Sequence, residues 1–223
     1  MFIRAMFLIV AGGEPPGKEL LHGLALKADM IIAADKGAQY CLESGITPGL
    51  VVGDMDSLDQ GSVERLSALG VAMKRVNADK DQTDTEIALD EAIGRGARRV
   101  EILGAIGDRI DHTLANIHLL RKALHHGIAA RITSETQQIF LVGSSETIRG
   151  SQGRTVSFLP LTEQVEGISL TGFLYELTEA FMEIGKPYGI SNVVTSDEAC
   201  VKVGKGILLA VLVHGLNIRC MLR

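Results

Sequence analysis

Eleven of the twelve aspartates fall between Asp29 and Asp111, with only Asp197 beyond them, whereas the fifteen glutamates run the length of the chain. Aspartate is short, favours loops and caps, and is a common Mg²⁺ ligand. Four stretches concentrate the chemistry. Asp35 precedes Lys36-Gly37-Ala38, and Asp54 and Asp56 alternate in Gly53-Asp54-Met55-Asp56-Ser57. Asp79, Asp81 and Asp84 surround a lysine in Asp79-Lys80-Asp81-Gln82-Thr83-Asp84, and Asp108 and Asp111 flank an arginine in Gly107-Asp108-Arg109-Ile110-Asp111-His112. Carboxylates separated by one residue can offer alternate oxygens to a hard cation. Acids beside Lys80 suit a site that holds metal and phosphate together. Glycines Gly104 and Gly107 ahead of a helix start favour phosphate, with Arg109 placed to clamp its oxygens.

The elements that must position these loops are legible as alternating apolar runs and helix-like segments. Candidate strands are Ala5–Ala11, Met30–Ala34, Leu50–Val52, Val71–Val76, Val100–Leu103 and Ala129–Thr133. Between them lie candidate helices Lys18–Lys27, Ala38–Ser44, Ser62–Leu69, Thr85–Gly94 and Thr113–His125, the last with a Leu114, Ile117, Leu120, Leu124 stripe. Thr83-Asp84-Thr85-Glu86 has capping-box spacing. Such alternation predicts a mostly parallel, doubly wound sheet. Each of the four acidic groups then follows a strand, at the edge where open α/β sheets bind ligands. Converging carboxylates repel unless cations neutralise them, so a Mg²⁺–phosphate site is expected. Asp29, Asp59 and Asp90 fall at a strand start, a helix start and a helix surface, and read as structural.

One decoy and the histidines stand against that reading. Gly12-Gly13-Glu14-Pro15-Pro16-Gly17-Lys18-Glu19 imitates a phosphate-binding P-loop, but Glu19 replaces the required hydroxyl and the prolines remove amides. It leaves Gly12-Gly13 as a candidate lining of the crevice. Lys36 reads as a solvated loop lysine. His118, His125 and His126 share a helix without the i, i+4 spacing of a zinc pair. His112, adjoining Asp111, stays open between a site role and a structural one. Cys41 reads as a small buried hydrophobe.

Beyond about Gln138 the helical periodicity fades. Short runs Thr155–Leu159, Gly167–Leu170, Asn192–Thr195, Ala199–Val203 and Ile207–Val213 recur with turn residues between them, predicting a small antiparallel sandwich. Tyr175–Phe181 is compatible with a short helix or a strand. The expected domains are 1–143 (α/β) and 144–223 (all-β). Composition sets limits as well. A chain of 223 residues with 46% hydrophobic and 22% charged residues excludes disorder and fibres. A net charge of −5 argues against bulk binding to nucleic acid or acidic membranes. The longest uncharged run, 13 residues, is too short to span a bilayer. The N-terminus reads as a first strand rather than a signal peptide, and three scattered cysteines without a CxxC fit a reducing cytoplasm.

In order and spacing, the four acidic stretches resemble the motifs of the thiamine pyrophosphokinase family. The resemblance continues through Gly172-Phe173-Leu174-Tyr175-Glu176-Leu177 and Gly189-Ile190-Ser191-Asn192. It implies an α/β nucleotide-binding domain followed by a β-sandwich, a homodimer, and transfer of the pyrophosphoryl group of ATP to the thiamine hydroxyl. By position it implies Mg²⁺ at Asp54, Asp56 and Asp84, with Asp81 close by. Asp35 and Asp111 would line the substrate cleft, either one placed to orient or deprotonate the hydroxyl. Lys80 and Arg109 would face the phosphates, with Gln82, Thr83, Gly107 and His112 also on the ATP side. Tyr175 matches an aromatic beside thiamine, and Leu177, Ser191 and Asn192 match further thiamine contacts, the polar pair from the opposite subunit. Asp108 and Val193-Val194 depart from the usual pattern. A Mg²⁺-dependent nucleotide phosphohydrolase and a non-catalytic nucleotide or thiamine sensor are the alternatives.

Overall fold

The computed structural model describes residues 5–76 and 81–214, and the chain divides into two compact units, Met1–Glu135 and Thr136–Arg223. In the first unit, β1 (Met6–Val10), β2 (Met30–Ala34), β3 (Leu50–Gly53), β4 (Ala72–Arg75), β5 (Arg99–Leu103) and β6 (Ala129–Thr133) run parallel in the order β6-β5-β1-β2-β3-β4. Helices α1 (Lys18–Ala25), α2 (Gly37–Glu43), α3 (Gln60–Ala68), α4 (Asp84–Gly94) and α5 (Ile110–His125) occupy the crossovers. Every residue of β1 and β3 is buried, as expected of strands covered on both faces. The edge strand β4 is mostly exposed and carries Lys74 and Arg75, charges that discourage edge pairing. The chain order reverses between β1 and β5, which makes their carboxyl ends the expected crevice.

The helix starts are chemically specified. Thr83 Oγ1 accepts from the Glu86 amide at 3.2 Å, so α4 begins where the capping-box spacing places it. Asp59 caps α3 by accepting from the Ser62 amide at 2.8 Å, the structural role expected of it. Asp29 accepts from the Met6 amide, and Asp90 pairs with Lys122. Helix α5 starts at Ile110, three residues ahead of the expected Thr113, which moves Asp111 and His112 from a loop into the first helical turn. Negative charge is favoured there by the helix dipole. A buried acid in mid-sheet, Glu101, is satisfied by Arg99 at 2.6 Å and by the Thr133 hydroxyl at 2.8 Å.

The second unit is a sandwich. One sheet is β12 (Gly189–Val193), β9 (Thr155–Pro160), β14 (Leu208–Val213) and β7 (Gln137–Val142); the other is β11 (Leu177–Glu183), β10 (Gln164–Thr171), β13 (Glu198–Lys202) and β8 (Ser145–Arg149). The described pairings in both are antiparallel. Phe140, Phe158 and Leu208 from the first sheet share a core with Ile168, Val201 and Ile148 from the second. Phe158 meets Phe173 edge-to-face, with ring centroids 5.5 Å apart. The division between units falls after Glu135 rather than after residue 143, because Gln137–Val142 pairs along its length with β14 and so belongs to the sandwich. The ambiguous segment resolves as a loop through Tyr175 followed by β11, whose pairing with β10 contains register shifts. Among the described residues no helix is long and apolar enough to cross a membrane.

Two glycines test how tightly the first unit is packed. A β-carbon on Gly37 would lie 1.9 Å from the Val10 carbonyl oxygen, so the close approach of α2 to β1 requires glycine. On Gly23, inside α1, it would meet nothing within 4 Å. Urea unfolding is expected to show Gly37→Ala destabilised by about 3 kcal/mol, the upper range for overpacking. Gly23→Ala should gain about 0.5–1 kcal/mol from lower unfolded-state entropy. Equal stabilities for the two variants would contradict this packing.

Candidate active site

Residues that follow β1, β2, β3 and β5, together with the heads of α4 and α5, line a cleft of about 770 Å³. Asp35, Asp54, Gln82, Thr83, Asp84, Gly107, Arg109 and His112 all contribute to its walls. These positions are scattered over 78 residues of sequence, from 35 to 112, and are gathered because each follows a strand of one parallel sheet. Gly12 and Gly13 line the same cleft, with the Gly13 amide donating to Gly104 O at 2.7 Å.

The carboxylates gather more tightly than the sequence spacing indicated. Asp35, Asp54 and Asp56 each place an oxygen within 4.8 Å of the others. Asp35 is the member that the sequence reading put on the substrate side instead. Its backbone has φ 47°, a left-handed conformation uncommon for a side-chain-bearing residue. Its Oδ1 is buried without a hydrogen-bond partner. Gly53, at φ 141°, allows the close approach, since a β-carbon there would stand 3.2 Å from that of Asp35. Met55, buried with φ 68°, separates Asp54 from Asp56, and the Asp56 amide donates to Asp54 Oδ1 at 3.2 Å. The side-chain hydrogen bond with Asp54, then repulsion from Asp54 and Asp35, raises the Asp56 carboxyl above its ordinary pKa. Asp84 lines the cleft at the head of α4 but lies outside this three-carboxylate group.

Other expected residues are placed differently. Asp81 is exposed and is not part of the cleft wall, and Asp79 and Lys80 lie outside the described residues. Gln82 donates its side-chain amide to Asp90 at 3.0 Å, and Asp90 pairs with Lys122 at 2.6 Å, which ties the cleft loop to α5. Asp111 is exposed, stands outside the cleft wall, and holds Arg109 at 2.6 Å. With α5 starting at Ile110, Asp111 stands in the first helical turn beside Arg109. In the second unit Tyr175 is 63% exposed, Leu177 is half-buried in β11, and Ser191 is exposed with φ 61°. Asn192 is buried and bonded to the Tyr175 backbone, so the side chain read as a ligand contact is already engaged.

Tyr40 and Asn116 are among the cleft residues that the sequence reading did not name. Tyr40 donates its hydroxyl to Gly13 O at 2.9 Å, and Asn116 donates its side-chain amide to Ala105 O at 2.8 Å. Both brace glycine-containing loops of the wall. Asn116 had a usable signal, a polar residue buried on the apolar side of α5; Tyr40 had none beyond its place in a small-residue helix. The Arg109–Asp111 pair offers a direct test. The hydrogen bond from Arg109 holds the Asp111 carboxyl down at about 2. The folded value lies below the unfolded one, so any stabilisation is present above the ordinary carboxylate range and lost as pH falls through it. NMR titration should find Asp111 near that value and find it raised toward normal in Arg109→Ala; an unchanged titration would refute the pairing.

With this geometry in hand, comparison with known proteins is specific. Residues 21–132 match the thiamin pyrophosphokinase catalytic domain, and residues 145–208 match the thiamin pyrophosphokinase vitamin B1 binding domain. The thiamine pyrophosphokinase of Bacillus subtilis (strain 168) is 33% identical over 205 residues, covering 91% of this chain and 96% of that one. A crystal structure of thiamine pyrophosphokinase from Bacillus subtilis superposes with a TM-score of 0.85 at 30% identity, covering 95% of this chain and all of the other. The Geobacillus thermodenitrificans thiamin pyrophosphokinase structure gives 0.83 at 28% identity, covering 95% and 99%. The chain belongs to the thiamine pyrophosphokinase family.

Proposed function

We propose that this chain transfers the pyrophosphoryl group of ATP to the hydroxyl of thiamine, releasing AMP and thiamine diphosphate. The observation that carries the reading is the buried, unpartnered Asp35 Oδ1 within a three-carboxylate group, of which Asp35 and Asp54 line the cleft. An all-oxygen donor set with a buried atom lacking a partner fits a hard divalent cation such as Mg²⁺. Asp35, Asp54 and Asp56 would hold it, with Asp84 lining the same cleft. When bound, the ion supplies charge neutralisation for the phosphate oxygens and for these acids.

The chain's own residues account for the rest. Reactions of this type depend mainly on positioning and electrostatics. The hydroxyl oxygen bonds to the β-phosphorus of ATP, the bond from that phosphorus to the α–β bridging oxygen breaks, and AMP departs. The hydroxyl proton passes to a carboxylate or to water. Helix α5 carries no side-chain cap at Arg109, which leaves its first amides available to phosphate oxygens. Arg109, now on Asp111, lies close enough to the wall to exchange that carboxylate for a phosphate. The anionic wall also suits a cationic substrate.

The second unit supplies the thiamine side. Tyr175 projects from a loop of the vitamin B1 binding region, as a stacking face for a cationic heteroaromatic ring would. Phe181, Ile184, Tyr188 and Ile190 are exposed on and around β11 and β12, and we propose that a second copy of the chain covers them in a homodimer. A cytoplasmic enzyme is consistent with the free thiols Cys41 and Cys200.

Incubation with ATP, Mg²⁺ and thiamine should yield AMP and thiamine diphosphate. Thiamine-independent ATP hydrolysis would favour a phosphohydrolase, and absence of turnover a sensor. Asp54→Asn and Asp35→Asn are each expected to keep the circular-dichroism spectrum and lower kcat by about 10²-fold, the scale for one lost electrostatic group. Near-normal turnover by both would sink the metal assignment. Tyr175→Ala should raise KM for thiamine more than KM for ATP, and parallel changes in both would argue against Tyr175 as a thiamine contact.

A further inference from the structure

The Gly172–Glu176 loop is held from within to an extent that an exposed connection does not require. The Gly172 carbonyl accepts from the amides of Thr195 and Ser196, and Leu174 N donates to Val193 O at 2.8 Å. Glu176 Oε1 accepts from the Gly172 amide at 2.7 Å, closing the loop on itself. Phe173, between these contacts, is buried against Phe158. The large hydrophobic side chains the loop leaves outside are Leu174 and Tyr175, 56% and 63% exposed.

Asn192 completes the arrangement. It lies on β12, an outer strand of its sheet, yet is only 5% exposed. Its Nδ2 donates to the Tyr175 carbonyl at 2.8 Å, and its Oδ1 accepts from the Tyr175 amide at 3.0 Å and from the Val193 amide at 2.8 Å. A planar carboxamide therefore grips both polar groups of one residue's backbone, leaving no capacity on the oxygen and one hydrogen on the nitrogen. The strand bends to permit this grip. Pairing between β12 and β9 shifts register between Gly189 and Asn192, and Ser191 within the shift has φ 61°.

We propose that Asn192 is a positioning residue, which fixes the attitude of Tyr175 and does not itself touch the substrate. The inference rests on the reading of Tyr175 as a thiamine contact. A rigid aromatic face binds with less ordering cost than a mobile one, so loosening the loop weakens binding with no contact to ligand removed. ATP, held by the first unit's cleft residues, is insensitive to it. Glu176 acts on the same loop from the opposite end, through the Gly172 amide.

Steady-state kinetics and a fluorescence measurement test this together. Asn192→Ala is expected to raise KM for thiamine by about tenfold, the scale of losing hydrogen bonds to a buried backbone, while KM for ATP changes by less than about twofold. In a Tyr175→Ala background the same substitution should add less than about twofold, because coupled residues are not additive. A full, additive effect there would mean that Asn192 contacts substrate directly and would overturn the proposal. The chain contains no tryptophan, so Tyr175→Trp creates a single reporter at the position in question. Adding Asn192→Ala to it should lower the substrate-free fluorescence anisotropy, and an unchanged anisotropy overturns the proposal whatever the kinetics show. Asn192→Asp, which keeps the acceptor but sets a carboxylate against the Tyr175 carbonyl, should reproduce both effects should the alanine variant fail to fold. If Tyr175→Ala leaves KM for thiamine unchanged, the thiamine reading falls, and the anisotropy arm still decides whether Asn192 holds the loop.

Discussion

Repulsion between carboxylates is the constraint around which the first unit is arranged. Asp35, Asp54 and Asp56 bring oxygens within 4.8 Å of one another, and each negative charge makes the next harder to keep. The Asp56 carboxyl is raised first by its side-chain hydrogen bond with Asp54 and then by repulsion from Asp54 and Asp35. The sheet prevents the loops from drifting apart to relieve it. Ala34 stands in register with Val52, and the Asp35 amide donates to Val52 O at 2.8 Å, so the residues after β2 and β3 are pinned side by side. Asp35 also carries a left-handed backbone and a buried oxygen without a partner. Strain, like-charge proximity and an unsatisfied buried atom coincide at one residue, the combination expected where structure is spent on function.

Parallel topology supplies the counterweight. When every strand is followed by a helix, the carboxyl ends of the strands and the amino ends of the next helices meet at one edge. Helices α2, α4 and α5 all start within the cleft's lining loops, so their positive ends face the acids. The close approach of α2 depends on Gly37, whose missing side chain lets the helix start against the Val10 carbonyl. Acidic residues in the first turns of α4 and α5 draw on the same field, which is why Asp84 and Asp111 sit at helix starts without being members of the tight carboxylate group.

The first unit was legible in the sequence because its strands are continuous apolar runs and its site residues follow them directly. Met30–Ala34 and Ala129–Thr133 emerge with the bounds expected of them, and Thr83 caps α4 as its spacing indicates. The second unit was less legible. β8 reads Ser-Glu-Thr-Ile-Arg, with too few apolar residues to register as a strand, and β11 pairs with β10 through register shifts. Within the site, residue type identified the acids but not their grouping. Asp35 joins Asp54 and Asp56 only through strand register, and Asp111 sits in a helical turn rather than a loop because α5 starts three residues early. Asn192 illustrates a different limit: its type suits a ligand contact, and only its geometry reveals that its oxygen and one amide hydrogen are already engaged.

The two interactions most relevant to binding differ in how readily they yield. Arg109 and Asp111 pair in the open, where water competes for both charges and such pairs contribute little to stability. That weakness makes Arg109 releasable: a phosphate in the cleft offers the same bidentate geometry with more charge, and exchanging partners costs little. Asn192 is the reverse case. Its amide is buried, so releasing the Tyr175 backbone would strand polar groups away from water. The first arrangement suits the phosphate contact proposed for Arg109. The second suits the fixed aromatic face proposed for Tyr175, and the register shift and left-handed Ser191 persist because the bonds they permit outweigh their strain.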